Sequence, residues 1–388
     1  MGSRTASGAL PYWRLSGFYF FYFALLGGLF PYWSLYLDDR GLSAEQIGAV
    51  LAIPLVTKVF APNLWSWLAD ASGWRLGIIR LGAILATMCF AGIFLVDDLP
   101  GLVLVMVGYS FFWNAVLPQH EVITLGFLGA RPERYSAIRL WGSVGFIAAV
   151  GAAGYAFETR GIALFPVVGF SLLVAILLSS LLIPRPVAVP AARHREPMLA
   201  VVRQPVVLAF LGAGALLQAA HGAYYSFFSL HLQNLGYGRT AIGLLWSVGV
   251  VAEVLIFAVM HRVLLRYGVR TLLLTSLALA ALRWWLIGHY SASLVVLVCA
   301  QTLHAFTFGT YHAAGVETVR RLFANAGQAG GQALYGAVSF GLGGALGSWL
   351  AGQLWRFGAP LVFEVAALLC LLALALSWYG FRDPRLRD

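Results

Sequence analysis

Long apolar stretches alternate with short polar breaks along nearly the whole chain of 388 residues. A transmembrane helix needs about 20 mostly apolar residues, and the polar breaks recur at a spacing that separates twelve such helices. The predicted helices cover residues 12–37, 45–69, 76–96, 100–126, 137–157, 162–184, 206–232, 241–265, 270–290, 293–318, 330–354 and 359–381. The pattern therefore predicts an all-α integral membrane protein with twelve transmembrane helices.

Composition supports this prediction and excludes an ordinary soluble protein. Hydrophobic residues make up 61% of the chain and charged residues only 10%, and the mean hydropathy is +0.83. The formal net charge of +10 could indicate a nucleic-acid partner, but its distribution along the chain has a simpler explanation.

The arginines collect on one side of the twelve predicted spans. That side, the basic end, holds Arg4, Arg14, Arg75, Arg80, Arg131, Arg134, Arg139, Arg185, Arg193, Arg195, Arg203, Arg262, Arg266, Arg270, Arg320, Arg321, Arg382, Arg385 and Arg387. The other side holds Arg40, Arg160, Arg239 and Arg356, together with Asp38, Asp39, Asp97, Asp98 and Glu158. By the positive-inside rule, both termini and the central loop are expected to be cytoplasmic. The basic charge is thus a topology signal, and we expect no nucleic-acid partner.

The stretch from Pro184 to Pro205 is the longest polar, proline-rich break, as is typical of a connector between packed units. It predicts an N-terminal six-helix bundle over 1–184, a cytoplasmic linker over 185–205 and a C-terminal six-helix bundle over 206–388. The two bundles resemble each other at an offset of 195 residues. Gly41 matches Gly236, Gly73 matches Gly268 and Lys58 matches Glu253, so we expect two pseudo-symmetric halves.

Ionisable side chains within these apolar helices are the main functional signal. Lys58, the only lysine of the chain, lies near the middle of the second predicted helix. A charge at membrane depth costs roughly 3 kcal/mol on insertion scales, and such residues usually face a watery pathway or a partner. The other members of the set are Glu121, Arg139, Glu253, Arg283 and Glu317, accompanied by His221, His304 and His312. Buried pairs that only lock helices together are the structural alternative.

These residue types suit proton-coupled binding of a substrate. A carboxylate among apolar helices holds a proton more readily when it is desolvated and less readily beside a cation. Movement of a cation therefore switches proton binding on and off. Candidate proton carriers are Glu121, Glu253 and Glu317, and the candidate modulators are Lys58, Arg139 and Arg283. Lys58 is also the best-placed cation for an anionic substrate.

Aromatic and histidine residues provide candidate contacts for a substrate. His221 lies in a polar and aromatic patch with Tyr224 and Tyr225, where it either contacts substrate or packs helices together. Tyr19 and Tyr22 belong to a helical stripe that would suit a ring-shaped substrate if it faces a cavity, although belt aromatics at the membrane interface are the commoner case. His304 and His312 are eight residues apart, too far to share a metal ion without a third helix.

Cysteine and metal chemistry do not enter the prediction. Cys89, Cys299 and Cys370 all fall within apolar helices without motif spacing and are typical of small core residues. We therefore expect no disulfide framework, no metal and no cofactor. An intramembrane enzyme is not expected either, because no nucleophile or metal motif is present.

The loop after the second predicted helix resembles the signature of the major facilitator superfamily. It reads Ser66-Trp67-Leu68-Ala69-Asp70-Ala71-Ser72-Gly73-Trp74-Arg75. Asp70, Gly73 and Arg75 fit the pattern, whereas the leading glycine and two basic positions do not. Twelve spans, the linker and the parallel repeat agree with this superfamily, in which substrate binds between two halves that rock around it. The resemblance implies that Asp70, Gly73 and Arg75 form a gating loop.

Several segments resemble one bacterial branch of that superfamily, the 3-phenylpropionate transporters. They are Pro31-Tyr32-Trp33-Ser34, Arg139-Leu140-Trp141-Gly142-Ser143-Val144, Ala220-His221-Gly222-Ala223-Tyr224-Tyr225, Gly243 to Val254 with Trp246 inside it, Leu282-Arg283-Trp284 and Leu303 to His312. The resemblance implies a bacterial inner-membrane location, and it places Trp246 among the candidate substrate contacts.

The chain is more distantly similar to the group of lactose permease and nucleoside proton symporters. That resemblance implies that Glu121, Arg139 and Glu253 lie near the substrate, and that Arg283 and an acid of the tenth helix handle the proton. The spacing departs from the group pattern, because His312 and Glu317 are five residues apart instead of three. The group has no counterpart that we can place for Lys58, which favours an acid over a neutral sugar.

The sequence therefore predicts a proton symporter that imports a small aromatic or other organic carboxylate, with Glu253, Arg283, His304, His312 and Glu317 coupling the proton. A sugar or nucleoside symporter and a proton-driven exporter of amphipathic compounds remain alternatives. A receptor that binds its ligand without transporting it is a further alternative. We expect the chain to function as a monomer, because one chain of this fold holds a complete pathway.

Overall fold

The computed structural model describes residues 10–129, 131–184, 198–324 and 327–386. Twelve helices in this part of the chain are long and apolar enough to cross a membrane. We number them α1 (Tyr12–Asp39), α2 (Ala44–Ser72), α3 (Arg75–Phe94), α4 (Leu99–Leu128), α5 (Tyr135–Arg160), α6 (Ile162–Leu181), α7 (Pro205–Asn234), α8 (Arg239–Tyr267), α9 (Val269–Tyr290), α10 (Leu294–Leu322), α11 (Gln328–Phe357) and α12 (Ala359–Gly380).

The twelve-helix prediction is confirmed, and each predicted span overlaps its observed helix. The largest difference is at the end of α10, which was placed at 318 and lies at Leu322. Most of the predicted linker, residues 185–197, lies outside the described residues, and its last part holds a short helix, Met198–Val202. We call α1–α6 the N-half and α7–α12 the C-half.

The repeat at an offset of 195 residues is visible in the helix ends. Both α2 and α8 are 29 residues long, and their first and last residues correspond at this offset. The preceding residues, Ser43 and Gly238, share the same extended backbone conformation. The glycines that follow each helix, Gly73 and Gly268, both have positive φ angles, of 68° and 73°. A residue with a Cβ is strained there, which explains why glycine is found at the same place in both halves.

A capping box stabilises the first turn of α2. The Ser43 hydroxyl accepts a hydrogen bond from the backbone N–H of Gln46, while the Gln46 side chain accepts one from the backbone N–H of Ser43. Farther along α2, the side chains of Thr57 and Asn114 donate to the carbonyl of Pro54 at 3.0 and 3.3 Å. Asn114 marks the break between the two helical segments of α4. Polar contacts at the proline therefore join α2 to α4.

The two halves contact each other at the end opposite the basic loops. The four hydrogen bonds that join the halves within the described residues all lie there. Ser348 of α11 donates to the carbonyl of Gly48 in α2 at 3.1 Å. Arg239 of α8 donates to the carbonyl of Phe157 in α5 at 2.9 Å. The structure is therefore closed between the halves at the end opposite the basic loops.

Close backbone approach strengthens this closed end. A methyl group added to Gly48 would lie 2.7 Å from the Ser348 carbonyl oxygen and 2.9 Å from the Gly352 Cα, so α2 and α11 meet at their glycines. The hydroxyl of Tyr32 in α1 donates to the Val150 carbonyl at 2.8 Å and to the Arg239 carbonyl at 3.4 Å. At mid-depth α2 still packs against α11, because a methyl group on Gly341 would lie 2.7 Å from Val59, but toward the basic end no hydrogen bond joins the halves within the described residues.

Candidate functional site

Lys58 lies at the middle of α2 and its side chain is exposed in the structure. Its ammonium nitrogen is 5.6 Å from the ring centroid of Phe340 in α11, across the boundary between the halves. A cation over an aromatic face at this distance is attracted by the ring. No carboxylate of the described residues lies within ion-pair distance of it. Lys58 is thus an unpaired cation at mid-depth.

The N-half brings Glu121 of α4 and Arg139 of α5 toward the same region. Glu121 is half-buried, and its Oε1 accepts a hydrogen bond from the Tyr135 hydroxyl at 3.2 Å. Both Lys58 and Arg139 are within electrostatic range of Glu121. The structure thus brings these three predicted site residues into one region, although Glu121 and Arg139 do not form a direct ion pair within the described residues.

Arg139 is held instead against an aromatic ring. The centre of its guanidinium lies 3.8 Å from the ring centroid of Phe23 and 5.7 Å from that of Tyr19. A methyl group on Gly142 would lie 2.7 Å from the Arg139 Nη1 and 2.8 Å from Phe23. The absence of a side chain at Gly142 therefore makes room for the Arg139 guanidinium against the Phe23 ring.

In the C-half, Arg283 of α9 is completely buried, and α10 holds its two terminal nitrogens, whereas its Nε has no hydrogen-bond partner among the described residues. It donates to the Gln301 Oε1 at 2.9 Å, to the Thr307 hydroxyl at 3.1 Å and to the His304 Nδ1 at 3.0 Å. The Tyr224 ring lies 4.5 Å from the guanidinium, and the Gln301 amide donates to the Tyr224 hydroxyl at 2.9 Å. A buried arginine with this many partners is fixed in place, since leaving any of them unpaired is costly.

The contact with Arg283 assigns the tautomer of His304. An arginine can only donate, so Nδ1 accepts and the ring proton of neutral His304 is on Nε2. That Nε2 faces the Glu253 Oε2 of α8 at 3.5 Å. The Glu253 side chain is about 20% exposed, so the row Arg283–His304–Glu253 runs from a closed interior to a carboxylate that water reaches.

The rest of α10 continues this polar row with aromatic rings. The rings of His304, Phe308 and His312 stack in sequence, with centroid separations of 5.2 and 6.1 Å. Glu253 and Lys58 both lie within electrostatic range of His312. The helix has a π-helical segment at Ala305–Thr310, a feature frequently found at functional sites. No group of three metal-ligating side chains occurs in the described residues.

The aromatic patch of α7 packs beside this row. His221 is fully buried, its Nδ1 donates to the Leu217 carbonyl at 2.9 Å, and its Nε2 has no hydrogen-bond partner in the part of the chain that the structure describes. Trp246 of α8 lies 4.5 Å from the Tyr224 ring, and its indole N–H donates to Ser229 at 3.0 Å. Tyr225 is half-buried and is 6.1 Å from Phe30 of the N-half. Of the four predicted contacts in this patch, Tyr225 is thus the one that reaches the boundary between the halves.

The predicted aromatic stripe of α1 lies beside the Glu121 and Arg139 region but inside the N-half. Tyr19 and Tyr22 are 0% and 3% exposed, because they pack against His120 and Trp113. Neither ring is therefore accessible to a ligand in this structure. Glu317 lies at the basic end, where its carboxylate accepts hydrogen bonds from Arg320 at 2.6 Å and Arg321 at 2.8 Å.

The structure places Glu317 apart from the other predicted proton-coupling residues. It forms salt bridges with Arg320 and Arg321 near the end of α10, and within the described residues no hydrogen bond or ion pair joins it to Arg283. In the same way, Asp70 pairs with Arg75 and Arg75 donates to Gln119 at 2.6 Å, all within the N-half. The predicted gating loop is thus bound to its own half in this structure.

Sequence reasoning missed the uncharged members of the site. Gln301 and Thr307 hold Arg283, Phe340 lies under Lys58, and Phe23 holds Arg139. Gln301 and Thr307 are three residues to either side of His304 on the same helix, so helical spacing around a candidate histidine could have found them. The two phenylalanines carry no such signal, because apolar residues are everywhere in these helices.

Comparisons with known proteins agree with the fold. Residues 12–365 match the model of the MFS_1 like family. The chain is 34% identical over 377 residues to the probable 3-phenylpropionic acid transporter of Escherichia coli (strain K12), covering 92% of this chain and 95% of that protein. It is 29% identical to the maltose permease of Geobacillus stearothermophilus, covering 92% and 93% of the two chains.

Solved structures share the architecture at low sequence identity. A variant of the nucleoside transporter NupG superposes with a TM-score of 0.83 at 18% identity, covering 96% of this chain and 100% of that chain. A bacterial homologue of the human lysosomal transporter Spinster, solved in an inward-facing and unoccupied conformation, superposes with a TM-score of 0.66 at 15% identity, over 97% and 98% of the two chains. The family match over most of the chain and these likenesses lead to one conclusion: the chain is a transporter and not an enzyme, and it belongs to the MFS_1-like family of the major facilitator superfamily.

Proposed function

We propose that this transporter is a proton-coupled symporter that imports a small aromatic or other organic carboxylate, of the 3-phenylpropionate type, by alternating access. We further propose that it resides in a bacterial inner membrane with both termini cytoplasmic. In that orientation the closed end faces the periplasm, and access to the site would be from the cytoplasmic side. The positive-inside distribution of arginines supports the orientation.

The observation that carries the proposal is the unpaired ammonium of Lys58. It lies at mid-depth with its nitrogen 5.6 Å from the Phe340 ring centroid, and no carboxylate of the described residues is at ion-pair distance. A cation there is costly unless an anion joins it, and a carboxylate is a small anion that a flexible lysine can bind. The naming of the 34% identical relative as a probable 3-phenylpropionic acid transporter supports the same substrate class.

Aromatic residues near Lys58 would accept the ring of such an acid. Phe340 lies beneath the ammonium, and Phe308 is 6.0 Å from Phe340 in an edge-to-face arrangement. Edge-to-face and offset ring pairs are favourable beyond the burial of apolar area alone. We assign the ring of the substrate to this pair in place of Tyr19 and Tyr22.

The proton is assigned to Glu253. Its carboxylate is reached by water and faces the Nε2–H of His304, whose other nitrogen is held by Arg283. Any rotation of α8 relative to α10 changes this contact and with it the free energy of protonating Glu253. Proton binding and the movement of the halves would thereby be coupled through one side chain.

Transport of labelled 3-phenylpropionate into proteoliposomes tests the proposal. We expect accumulation that rises with an imposed inward proton gradient and falls to background when the gradient is collapsed. The Lys58→Gln variant should lose this accumulation. Arg262→Gln, which removes an exposed arginine at the basic end, should keep it. Accumulation of acids that is the same with and without the proton gradient would disprove proton coupling.

Sugar transport is the second candidate, because a maltose permease is 29% identical to this chain. A neutral sugar has no use for the Lys58 ammonium. Thermal stabilisation by maltose that is equal in the wild type and in Lys58→Gln would favour the sugar, whereas stabilisation by 3-phenylpropionate that only the wild type shows would favour the acid. Drug susceptibility of cells that express the protein would identify an exporter of amphipathic compounds.

A further inference from the structure

A groove of about 580 Å³ lies along the first turns of α3 at the basic end, and all the residues that line it belong to the N-half. Residues that line it include Gly73, Trp74, Gly77, Arg80, Leu81 and Ile84. On this helix Ile78 and Ile79 are fully buried against the N-half, whereas Ile84 and Met88 are 40% and 65% exposed. The groove therefore continues onto an apolar face that meets the hydrocarbon of the bilayer.

The Trp74 indole forms one wall of the groove, and a glycine of α3 makes room for it. The Trp74 indole is 58% exposed, yet it lies so close over the first turn of α3 that a methyl group on Gly77 would overlap its ring atoms. Glycine at 77 is thus what allows the indole to lie along the helix. Tryptophan is enriched at the level of lipid headgroups because its ring is apolar and its N–H is polar.

Arg80 lies one helical turn beyond Gly77 and uses only some of its hydrogen-bond donors. Arg80 donates through Nε to the Ser180 carbonyl at 3.5 Å and through Nη2 to the Leu181 carbonyl at 3.3 Å, at the end of α6. A guanidinium has five N–H donors, so these two long contacts fix its position and leave other donors available. Within the described residues no carboxylate lies at ion-pair distance from Arg80, so its contacts to the two α6 carbonyls leave its charge without a counterion.

We propose that this groove binds one anionic phospholipid. The phosphate accepts hydrogen bonds from the free N–H groups of Arg80, the Trp74 indole lies at headgroup level, and an acyl chain follows Leu81, Ile84 and Met88. Basic pockets between transmembrane helices are suited to anionic headgroups, which one bilayer leaflet carries in excess. The charge of Arg80 and the apolar continuation of the groove together favour a lipid over a free anion.

The internal repeat shows that the fold does not require these residues. At the offset of 195, the residues that match Trp74, Gly77 and Arg80 are Val269, Leu272 and Thr275. The C-half thus builds the same helix without the tryptophan, the glycine or the arginine. The groove is a property of the N-half alone, and we therefore expect a single site per chain.

Native mass spectrometry of the purified full-length chain tests the site, with phosphatidylglycerol titrated against phosphatidylcholine. We expect one phosphatidylglycerol to bind more tightly than phosphatidylcholine, and Arg80→Gln to weaken it about fivefold, as loss of one cation near a phosphate predicts. The control Arg266→Gln removes an exposed arginine beside Tyr267 at the basic end of α8 and should leave binding unchanged.

A second variant guards against a general loss of folding in Arg80→Gln. Gly77→Ala keeps every charge but displaces the indole, so it should also weaken phosphatidylglycerol binding while transport of substrate persists. Equal binding of the two lipids, equal weakening by Arg266→Gln, or displacement of the lipid by inorganic phosphate alone would each overturn the proposal. Phosphate displacement would indicate a simple anion site.

Discussion

Lys58 and Glu253 occupy equivalent positions of the internal repeat, each at the midpoint of a 29-residue helix. Lys58 reaches across to Phe340 of the opposite half, and Glu253 faces His304 of its own half. The pseudo-symmetry of the fold thus places a cation and an anion at one depth, one on each half. In the proposed mechanism the cation serves the substrate and the anion serves the proton.

Replacement of Lys58 by glutamine should weaken binding of an aromatic acid by about 10- to 100-fold, since a hydrogen bond to a charged group contributes about 1.5–3 kcal/mol. Lys58→Arg should keep part of the affinity because it keeps the charge. Isothermal titration of the purified variants with 3-phenylpropionate measures both. Unchanged affinity in Lys58→Gln would show that the ammonium does not bind the substrate.

Replacement of Glu253 by glutamine should separate transport from the proton. The variant should still exchange labelled for unlabelled substrate across a vesicle membrane, but it should no longer accumulate substrate when a proton gradient is imposed. Glu317→Gln is the matched control, because that carboxylate is paired with Arg320 and Arg321 at the basic end. If instead Glu317→Gln lost gradient-driven accumulation and Glu253→Gln kept it, Glu317 would be the proton carrier.

Substitution of Gly142 by alanine should disturb Arg139 without touching any charge. The added methyl group would lie 2.7 Å from the Arg139 Nη1, so the guanidinium must leave the Phe23 ring or shift upon it. We expect a lower substrate affinity with little change in unfolding temperature. Gly151→Ala on the same helix is the control, since nothing lies within 4 Å of its added methyl group. Equal effects of the two would assign the loss to α5 itself.

Substitution of Gln301 by leucine should destabilise the C-half. It removes the acceptor that holds one nitrogen of the fully buried Arg283, and an unsatisfied buried donor costs about 1–3 kcal/mol, more for a charged group. Thermal unfolding should show a lower midpoint. The neighbouring Thr302→Val loses only a contact within its own helix turn and should change the midpoint much less.

The fold was largely predictable from the sequence, because twelve apolar runs and one repeat offset determine most of it. The offset of 195 residues even relates both ends of α2 to those of α8. Charged candidates such as Lys58 and Glu253 were also identifiable, since a charge is conspicuous in an apolar helix.

The orientation of apolar helices was not predictable. In α1, aromatic residues occur on all sides, so helical spacing could not show that Tyr19 and Tyr22 face the interior of the N-half. The separation of Glu317 from the other candidates has another cause. It is thirteen residues beyond His304, which at 1.5 Å per residue is about 20 Å along the helix, and the sequence does not show how far along a helix a site extends.

The hydrogen bonds that close the two halves end mainly on backbone carbonyls, those of Gly48, Phe157 and Arg239. Only the contact between the Glu158 carboxylate and the Thr240 N–H has a charged acceptor. Interactions of exposed charged groups weaken as salt is added, whereas hydrogen bonds between neutral groups are little affected by it. Added salt should therefore weaken the contacts made by Arg239 and Glu158 and leave those made by Tyr32 and Ser348 almost unchanged, so that high ionic strength should loosen the closed end only in part.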